Sequence, residues 1–293
     1  MPSQQKISIR FFNDCEVRAI WDEKNAKWWF SVLDIVGILN EENDYNKIRN
    51  YWKYLKVKLK KENSELVSAT TQLKLLAADG KKYLTDTLDS EGIILLAKHF
   101  PNNRASKFLD WFLYSDNSID GQSKKKAYAL FEGNLFTQIE VGTTKGLQQI
   151  HAFLFGGLYD FAGQLRTKSI SKGAYQFTPA HYLVTHLEKI DEMPETTIDE
   201  IVEKYAAMNK AHPFMEGNGR STRIWLDLIL KKQLKCCVDW SKISKTNYMN
   251  AMIISTVDSS ELLKLINHAL TTDINSREIY MKGIDYSYYY EEI

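Results

Sequence analysis

The tightest constraint on this chain is the stretch His212-Pro213-Phe214-Met215-Glu216-Gly217-Asn218-Gly219-Arg220-Ser221-Thr222-Arg223. Glycines flank Asn218, so the backbone there can take positive φ and turn its N–H groups toward one point. A helical run begins at once and is apolar nearly all round over residues 223–231, as in a helix buried at the centre of a bundle. The unpaired N–H groups and the positive dipole end of that helix face the same point as the glycine turn. Arg220 and Arg223, three apart, both reach that end of the helix. The pattern predicts a polyphosphate site made of backbone, dipole and guanidinium.

Two further residues of the loop carry chemistry. Glu216 is a lone carboxylate beside the predicted phosphates, the usual way a protein holds Mg²⁺, which keeps waters and takes its other ligands from a nucleotide. His212 lies at the mouth, where a neutral imidazole can accept a proton from an attacking hydroxyl near neutral pH. Phe214 is apolar within a polar run and is expected to anchor the loop in the core.

The segment resembles the defining motif of the Fic family, His-x-Phe-x-Asp/Glu-Gly-Asn-Gly-Arg-x-x-Arg. His212, Phe214, Glu216, Gly217, Asn218, Gly219, Arg220 and Arg223 match every defined position. The resemblance covers roughly residues 130–293. It implies that His212 deprotonates a target hydroxyl, that Glu216 binds Mg²⁺, that Gly217, Asn218 and Gly219 form an anion hole, and that Arg220 and Arg223 engage the phosphates of ATP. The implied reaction is transfer of AMP to a Tyr, Ser or Thr hydroxyl of a protein. Two other readings stay open: a DNA-binding regulator whose Fic part senses nucleotide without turnover, and a Fic enzyme that removes AMP or transfers another phosphate-linked group.

Ile150-His151 through Phe161-Ala162-Gly163-Gln164-Leu165-Arg166-Thr167 is similar to the entry into the Fic flap. Residues 167–177 read as a hairpin around Lys172-Gly173, with Tyr175 and Phe177 pointing one way. In the family the flap holds the target by strand addition, so Thr167, Ser169, Ile170, Tyr175 and Phe177 are its expected docking residues.

Residues 276–293, SREIYMKGIDYSYYYEEI, resemble the C-terminal inhibitory helix of one class of Fic proteins, with motif Ser/Thr-x-x-x-Glu-Gly/Asn. Ser287 and Glu291 match, share a helix face, and Glu292 departs at the last position. A carboxylate delivered beside Arg223 would form a charge-assisted pair and exclude the γ-phosphate. The resemblance makes Tyr288 the expected site of self-modification, so the protein itself joins another protein as a possible substrate.

The first part of the chain has a different character. ISIRFF and EVRAIW alternate around Asn13-Asp14, and KWWFSV follows, so residues 6–30 read as short strands. Asp34 to Asn40 and residues 88–113 read as helical. Val17 to Ile20, Trp29 to Ile35, the Tyr51-Trp52 to Leu59-Lys60 run, Leu75-Ala77-Ala78-Asp79-Gly80 and Glu91 to Trp111 resemble the Bro-N domain, which is associated with DNA binding. Residues 45–61 interleave Lys and Arg with Tyr and Trp, which suits phosphate contact and base stacking; a solvated helix face explains the same run.

The expected fold is therefore two-domain. A mixed α/β, Bro-N-like module occupies residues 1–115, a linker 116–128, and an all-α Fic domain with a small β-hairpin flap 129–293. Formal net charge is +1, so no whole-chain field selects an anionic partner. Met1 to Phe12 lacks a signal-peptide core, no apolar run reaches membrane-spanning length, and Cys15, Cys236 and Cys237 read as reduced thiols, all of which leads to a cytoplasmic expectation. His99, His151, His181, His186 and His268 read as packing or surface residues. Oligomeric state is left open.

Overall fold

The computed structural model of the chain describes residues 6–77, 79–133, 135–173 and 175–292. It divides into two compact units, Met1–Ser118 and Ile119–Ile293.

The first unit opens with β1 (Ile7–Phe12), β2 (Cys15–Asp22) and β3 (Lys27–Ser31). Asn13 and Asp14 both take positive φ, 48° and 63°, which gives a tight two-residue hairpin turn with Phe12 opposite Cys15. Then come α1 (Val32–Asn40), α2 (Tyr45–Lys61), α3 (Glu65–Ala69), β4 (Thr71–Leu76), β5 (Lys82–Leu88), α4 (Ser90–Ala97) and α5 (Asn103–Tyr114). The sheet runs in the order β1-β2-β3-β5-β4, antiparallel at every pairing. β4 and β5 carry little apolar signal, because Lys74, Lys82 and Asp86 interrupt them. Of the turn residues singled out in the sequence, Asp79 and Gly80 close this hairpin, and Ala78 lies outside the described residues. The helical run expected over residues 88–113 is two helices: Pro101 cannot donate to a helix, and Asn102 caps the second by accepting from the Ala105 N–H at 2.8 Å. Phe12, Phe30, Phe108 and Phe112 meet at the centre of the core, with Trp111 at its edge.

The second unit comprises α6 (Ile119–Glu132), α7 (Thr144–Phe155), a small hairpin β6 (Ser171–Lys172) and β7 (Tyr175–Gln176), α8 (Ala180–Asp191), α9 (Ile198–Ala211), α10 (Asn218–Gln233), β8 (Cys237–Val238), α11 (Lys245–Ile254), α12 (Ser260–Ala269), β9 (Leu270–Thr271) and α13 (Arg277–Tyr289). α10 is the central helix, with Trp225, Leu226, Ile229 and Leu230 fully buried. α7 and α9 pack against it, and α13 lies on α6 and α10. Thr197 and Glu200 start α9 as a reciprocal capping box.

The expected linker at 116–128 is corrected by α6. Its polar sequence hides a helix face on which Ser123, Ala127 and Leu130 are buried, and the division between units falls after Ser118. Lys124, part of the charge run that suggested a linker, pairs with the buried Asp285 of α13 at 2.6 Å. Among the described residues no helix is long and apolar enough to cross a membrane.

Candidate active site

The glycine loop joins α9 to α10. α9 ends at Ala211, and His212 caps it in the left-handed region, φ 47° and ψ 65°, with its N–H on the Met208 carbonyl. Pro213 follows and cannot continue the helix. Gly217 starts α10 at φ 80°, and a Cβ there would run into the Phe155 ring, so both conformation and space demand glycine. Asn218 ties the loop across its base: its Oδ1 accepts from the Phe214 N–H and its Nδ2 donates to the Phe214 carbonyl, each at 2.8 Å. Its amide is thus spent within the loop, so Asn218 faces an anion with its backbone. The N–H groups of Asn218, Gly219 and Arg220 precede the first bond of the helix, Ser221 N–H to Gly217 O. Phe214 is fully buried, as expected.

His212 has a defined tautomer. Its Nδ1 lies 3.2 Å from the Asn209 carbonyl, which only an Nδ1–H can satisfy, so Nε2 is the acceptor. The ring stacks on Phe177 of the hairpin with centroids 3.7 Å apart. Burial pushes its pKa down to about 4, so the imidazole is neutral at physiological pH.

Arg166 fixes His212 from behind. Its Nε donates to the His212 carbonyl at 2.7 Å, its Nη2 to the carbonyls of Ala211 and Thr178, and its Nη1 to that of Lys168. A buried guanidinium thereby binds the C-terminal end of α9, where the helix dipole favours a cation, and both feet of the hairpin. His151 does the same for the other side of the loop. Its Nδ1 accepts from the Gly163 N–H and its Nε2–H donates to the Glu216 carbonyl, both at 2.9 Å, while its ring stacks on Phe214 at 3.8 Å. Burial holds His151 neutral, with a pKa down to about 4.

Glu216 is exposed. Its Oε1 accepts from the Gly217 N–H at 3.0 Å and from Arg220 Nη2 at 2.7 Å. Among the described residues no cluster of three or more metal-ligating side chains exists. A divalent cation at Glu216 would have to take most of its ligands from water and phosphate, which is the habit of Mg²⁺, and the donor set fits it.

The arginines differ in their surroundings. Arg220 is buried, gives Nη1 to Asp120 of α6, and lies between the rings of Phe155 and Tyr288 at 5.1 and 5.6 Å. Arg223 is wholly engaged by α13 and α11: Nε to Ser287 Oγ at 2.7 Å, Nη2 to the Ser287 carbonyl at 2.6 Å and to Glu291 Oε1 at 2.5 Å, Nη1 to the Tyr248 hydroxyl at 3.1 Å. Burial works against the Arg223 charge, but Tyr248, Glu291 and Tyr205 outweigh it and raise its pKa. Burial likewise pushes the Glu291 carboxyl up, and Arg223 overcomes it and holds the pKa below the usual glutamate value. A Cβ on Gly219 would collide with the Glu291 carboxylate, which therefore lies directly over the nest. Tyr288 is buried, with its hydroxyl on Ser123 Oγ at 3.0 Å, and burial raises its pKa to about 12.

The hairpin pairs Ser171 with Gln176 and Lys172 with Tyr175. Tyr175 and Phe177 meet edge to face at 5.2 Å, on one side as the alternation predicts. Thr167 and Ser169 are exposed and Ile170 half-buried. Ser169 Oγ accepts from the Ala180 N–H at the start of α8.

The structure thus brings His212, Glu216, the nest, both arginines, Ser287 and Glu291 to one place. Sequence reasoning gave no role to Arg166, Tyr248 or Asp120. Arg166 stood in the segment read as the flap entry, and Asp120 in a stretch whose polarity pointed to a linker. His151 was read as a packing residue, and its part in holding the Glu216 carbonyl had no signal beyond an imidazole on an apolar helix.

In the first unit, α2 buries Trp52, Leu55 and Leu59 and turns outward a face of lysines interleaved with exposed Tyr51, Tyr54 and Val57. Lys53, Tyr54, Val57 and Lys61 lie along its middle, with Tyr54 77% exposed. Lys56 is tied to Asp86 at 2.8 Å.

Residues 142–230 match the Fic/DOC family. The chain is 29% identical over 156 residues to the protein adenylyltransferase VbhT of Bartonella schoenbuchensis, covering 47% of this chain and 32% of that protein. It is 29% identical over 118 residues to the probable protein adenylyltransferase y4lH of Sinorhizobium fredii, covering 36% of this chain and 61% of that protein. The chain spans less than two thirds of either relative. Among solved structures, that of BepC from Bartonella tribocorum with bound AMPPNP is 18% identical, with TM-score 0.43 over 52% of this chain and 84% of that one.

Proposed function

We propose, from the Fic/DOC domain at residues 142–230, that this protein transfers AMP from ATP to a hydroxyl side chain of a protein and that its own C-terminal helix holds the reaction in check. The observation that carries the reading is a neutral His212 with Nε2 as acceptor, set beside a helix-start nest and two arginines. The two curated relatives are named as adenylyltransferases, which supports the same reading.

In this reading the nest and Arg220 take the phosphates of ATP, and Mg²⁺ held at Glu216 supplies neutralisation of their charge. The hairpin lays the target beside His212 by strand addition, which fixes register through main-chain bonds. His212 Nε2 takes the proton of the target hydroxyl. The hydroxyl oxygen bonds to the α-phosphorus as the bond to pyrophosphate breaks, so AMP stays on the protein and pyrophosphate leaves. Arg166 and the Asn209 carbonyl keep the imidazole in the right tautomer and place. Glu291 opposes this by occupying Arg223 and the space over Gly219. Self-modification at Tyr288 requires α13 to leave first, since its hydroxyl is buried against Ser123.

The test is incubation with Mg²⁺ and ATP labelled at the α or the γ phosphate. Label on protein from the α position only, lost in His212→Ala, is the expected result. Label from the γ position only, or an unaltered rate in His212→Ala, refutes it.

A second reading concerns the first unit alone. The outward face of α2, basic and free of acidic residues, with Tyr54 and Tyr51 exposed among its lysines, favours contact with nucleic acid.

A further inference from the structure

Both arginines of the nest are held by carboxylates from outside the loop. Arg223 is held by Glu291, the contact discussed above. Arg220 is held by Asp120, in the first turn of α6, through Nη1, while Nη2 binds Glu216 within the loop. The Arg220 guanidinium lies between Phe155 and Tyr288, and its Nε is buried without a hydrogen-bond partner. It has little freedom to turn toward a new anion while keeping both carboxylates. The two carboxylates are about equally exposed, 58% for Asp120 and 56% for Glu216, but Glu216 belongs to the loop and is also held by the Gly217 N–H, whereas Asp120 sits on a different element, so Asp120 is the one that can swing away.

The placement of Asp120 follows from the face of α6. Residues 120, 123, 124 and 127 share one side of the helix. On that side Ser123 receives the Tyr288 hydroxyl, Lys124 binds Asp285, and the Ala127 carbonyl accepts from Tyr280 at 2.7 Å. α6 and α13 therefore grip each other, and each delivers one carboxylate to one arginine. The groups ion-paired around the nest are Glu216, Asp120 and Glu291 against Arg220 and Arg223, a formal sum of −1 where a polyphosphate must enter, with Lys172 of the hairpin near Glu291 as a further cation common to every variant below.

We propose that Asp120 is a second inhibitory carboxylate, which keeps Arg220 from phosphate as Glu291 keeps Arg223, so that nucleotide binding must displace both. The proposal rests on the reading of the loop as a nucleotide site. Removing Asp120 takes the formal sum to zero, and removing both outer carboxylates takes it to +1. Asp120 is largely exposed where Glu291 is mostly covered, so its pair with Arg220 is weaker than the Arg223–Glu291 pair and releasing it is the smaller effect, about fivefold in affinity. It shrinks as salt screens the charges.

The experiment uses the full chain and AMPPNP, whose binding by calorimetry does not depend on transfer. Parent, Asp120→Asn, Asp120→Glu, Glu291→Gly and the Asp120→Asn/Glu291→Gly pair are compared at low and high salt, with thermal melts without nucleotide. Asp120→Asn should bind AMPPNP about fivefold more tightly than the parent, and should add a similar factor on top of Glu291→Gly. Asp120→Glu, which keeps the charge, should stay near the parent. Unchanged or weaker binding in Asp120→Asn while Glu291→Gly gains overturns the proposal and makes Asp120 a support for Arg220. Equal gains in Asp120→Asn and Asp120→Glu overturn the charge argument. Absence of AMPPNP binding in every variant, Glu291→Gly included, removes the nucleotide reading and this proposal with it.

Discussion

The Glu291 carboxylate lies over the backbone of Gly219 and accepts from Arg223 Nη2 at 2.5 Å. It is an anion at the N-terminal end of a helix, where the dipole and the open N–H groups favour one. It therefore stands where a phosphate group would gain most. Glu291→Gly should raise AMP transfer tenfold or more, on the order of the effect of freeing a buried guanidinium for a phosphate. The readout is α-labelled AMP on protein, and adding His212→Ala should eliminate the gain. A lower or equal rate in Glu291→Gly counts against inhibition by α13 without touching the loop assignment.

The pH dependence follows from burial of His212. A base works unprotonated, and a pKa of about 4 keeps His212 unprotonated through the neutral range. In Glu291→Gly the rate should stay level from about pH 8 to about pH 5 and fall only below that. Glu291 raises the His212 pKa, so its removal moves the acid limb lower still. An acid limb near 6.5, the value of a solvated histidine, would contradict the buried ring. For stability the sign is the same. His212 and His151 resist protonation when folded but take protons near 6.5 when unfolded, so the stability these two rings contribute is lost as pH drops from about 6.5 to about 4, and below that the Arg223–Glu291 pair goes on losing stability as its carboxylate is protonated.

His151 offers a test of how the loop is held. His151→Phe keeps a ring against Phe214 but leaves the Gly163 N–H and the Glu216 carbonyl without partners. Two unsatisfied backbone groups cost about 2–6 kcal/mol together. A loss of that size in the free energy of unfolding, read from denaturant melts, is expected, with a loss of transfer rate because Glu216 sits on the loosened turn. A variant as stable and as active as the parent would show that the ring contact with Phe214 is the whole of the role.

The loop was legible because its chemistry is local. Glycines, dipole and arginines lie within twelve consecutive residues, His212 to Arg223, and helix geometry alone brings them together. Ser287 and Glu291 were legible as a pair because four residues make one turn. Arg166 was not, since its partners are carbonyls of Lys168, Thr178, Ala211 and His212, and carbonyl contacts leave no mark on side-chain type. Asp120 was hidden for another reason. In sequence it belongs to a polar run, and only the coiling of α6 separates its inward side from its solvated one. β5 escaped because Lys82 and Asp86 stand among its apolar residues, and Asp86 is bonded to Trp52 and Lys56 of α2, a partnership that leaves no mark in the strand's own sequence.

Residues 119–293 should fold alone, because all of α6 to α13 lies after Ser118, and should transfer AMP at the restrained rate of the full chain, because His212, Glu216, the hairpin and the nest lie there together with the inhibitory carboxylates. A fragment that begins at Gln122 loses the first turn of α6 and Asp120 with it. It should melt lower than the longer fragment. Far-UV dichroism and melts of both fragments decide this. Insolubility of residues 119–293, with the full chain soluble, would mean that the second unit needs the first to fold.

The last prediction concerns α2. Its outward face holds Lys53, Lys58, Lys60 and Lys61, and residues 45–61 contain no acid. If this face meets nucleic acid, residues 1–118 should bind a DNA duplex, with an affinity that falls steeply with salt as counterions are released. Lys53, Lys58, Lys60 and Lys61 changed together to Ala should flatten the slope of log affinity against log salt by roughly 3.6, about 0.9 for each lysine that meets a phosphate. Alanine is a good helix former, so α2 should persist, and dichroism checks that it does. Lys56→Ala is the control: this lysine is engaged by Asp86, so its loss should lower stability and leave the slope nearly as it was. Tyr54→Ala separates modes of contact. Stacking on an exposed ring is worth about 1–3 kcal/mol per base, so a loss confined to single-stranded DNA would identify base stacking, whereas equal binding of both forms would identify phosphate contact alone. No retention of either form at low salt would leave the basic face as a surface for an acidic protein.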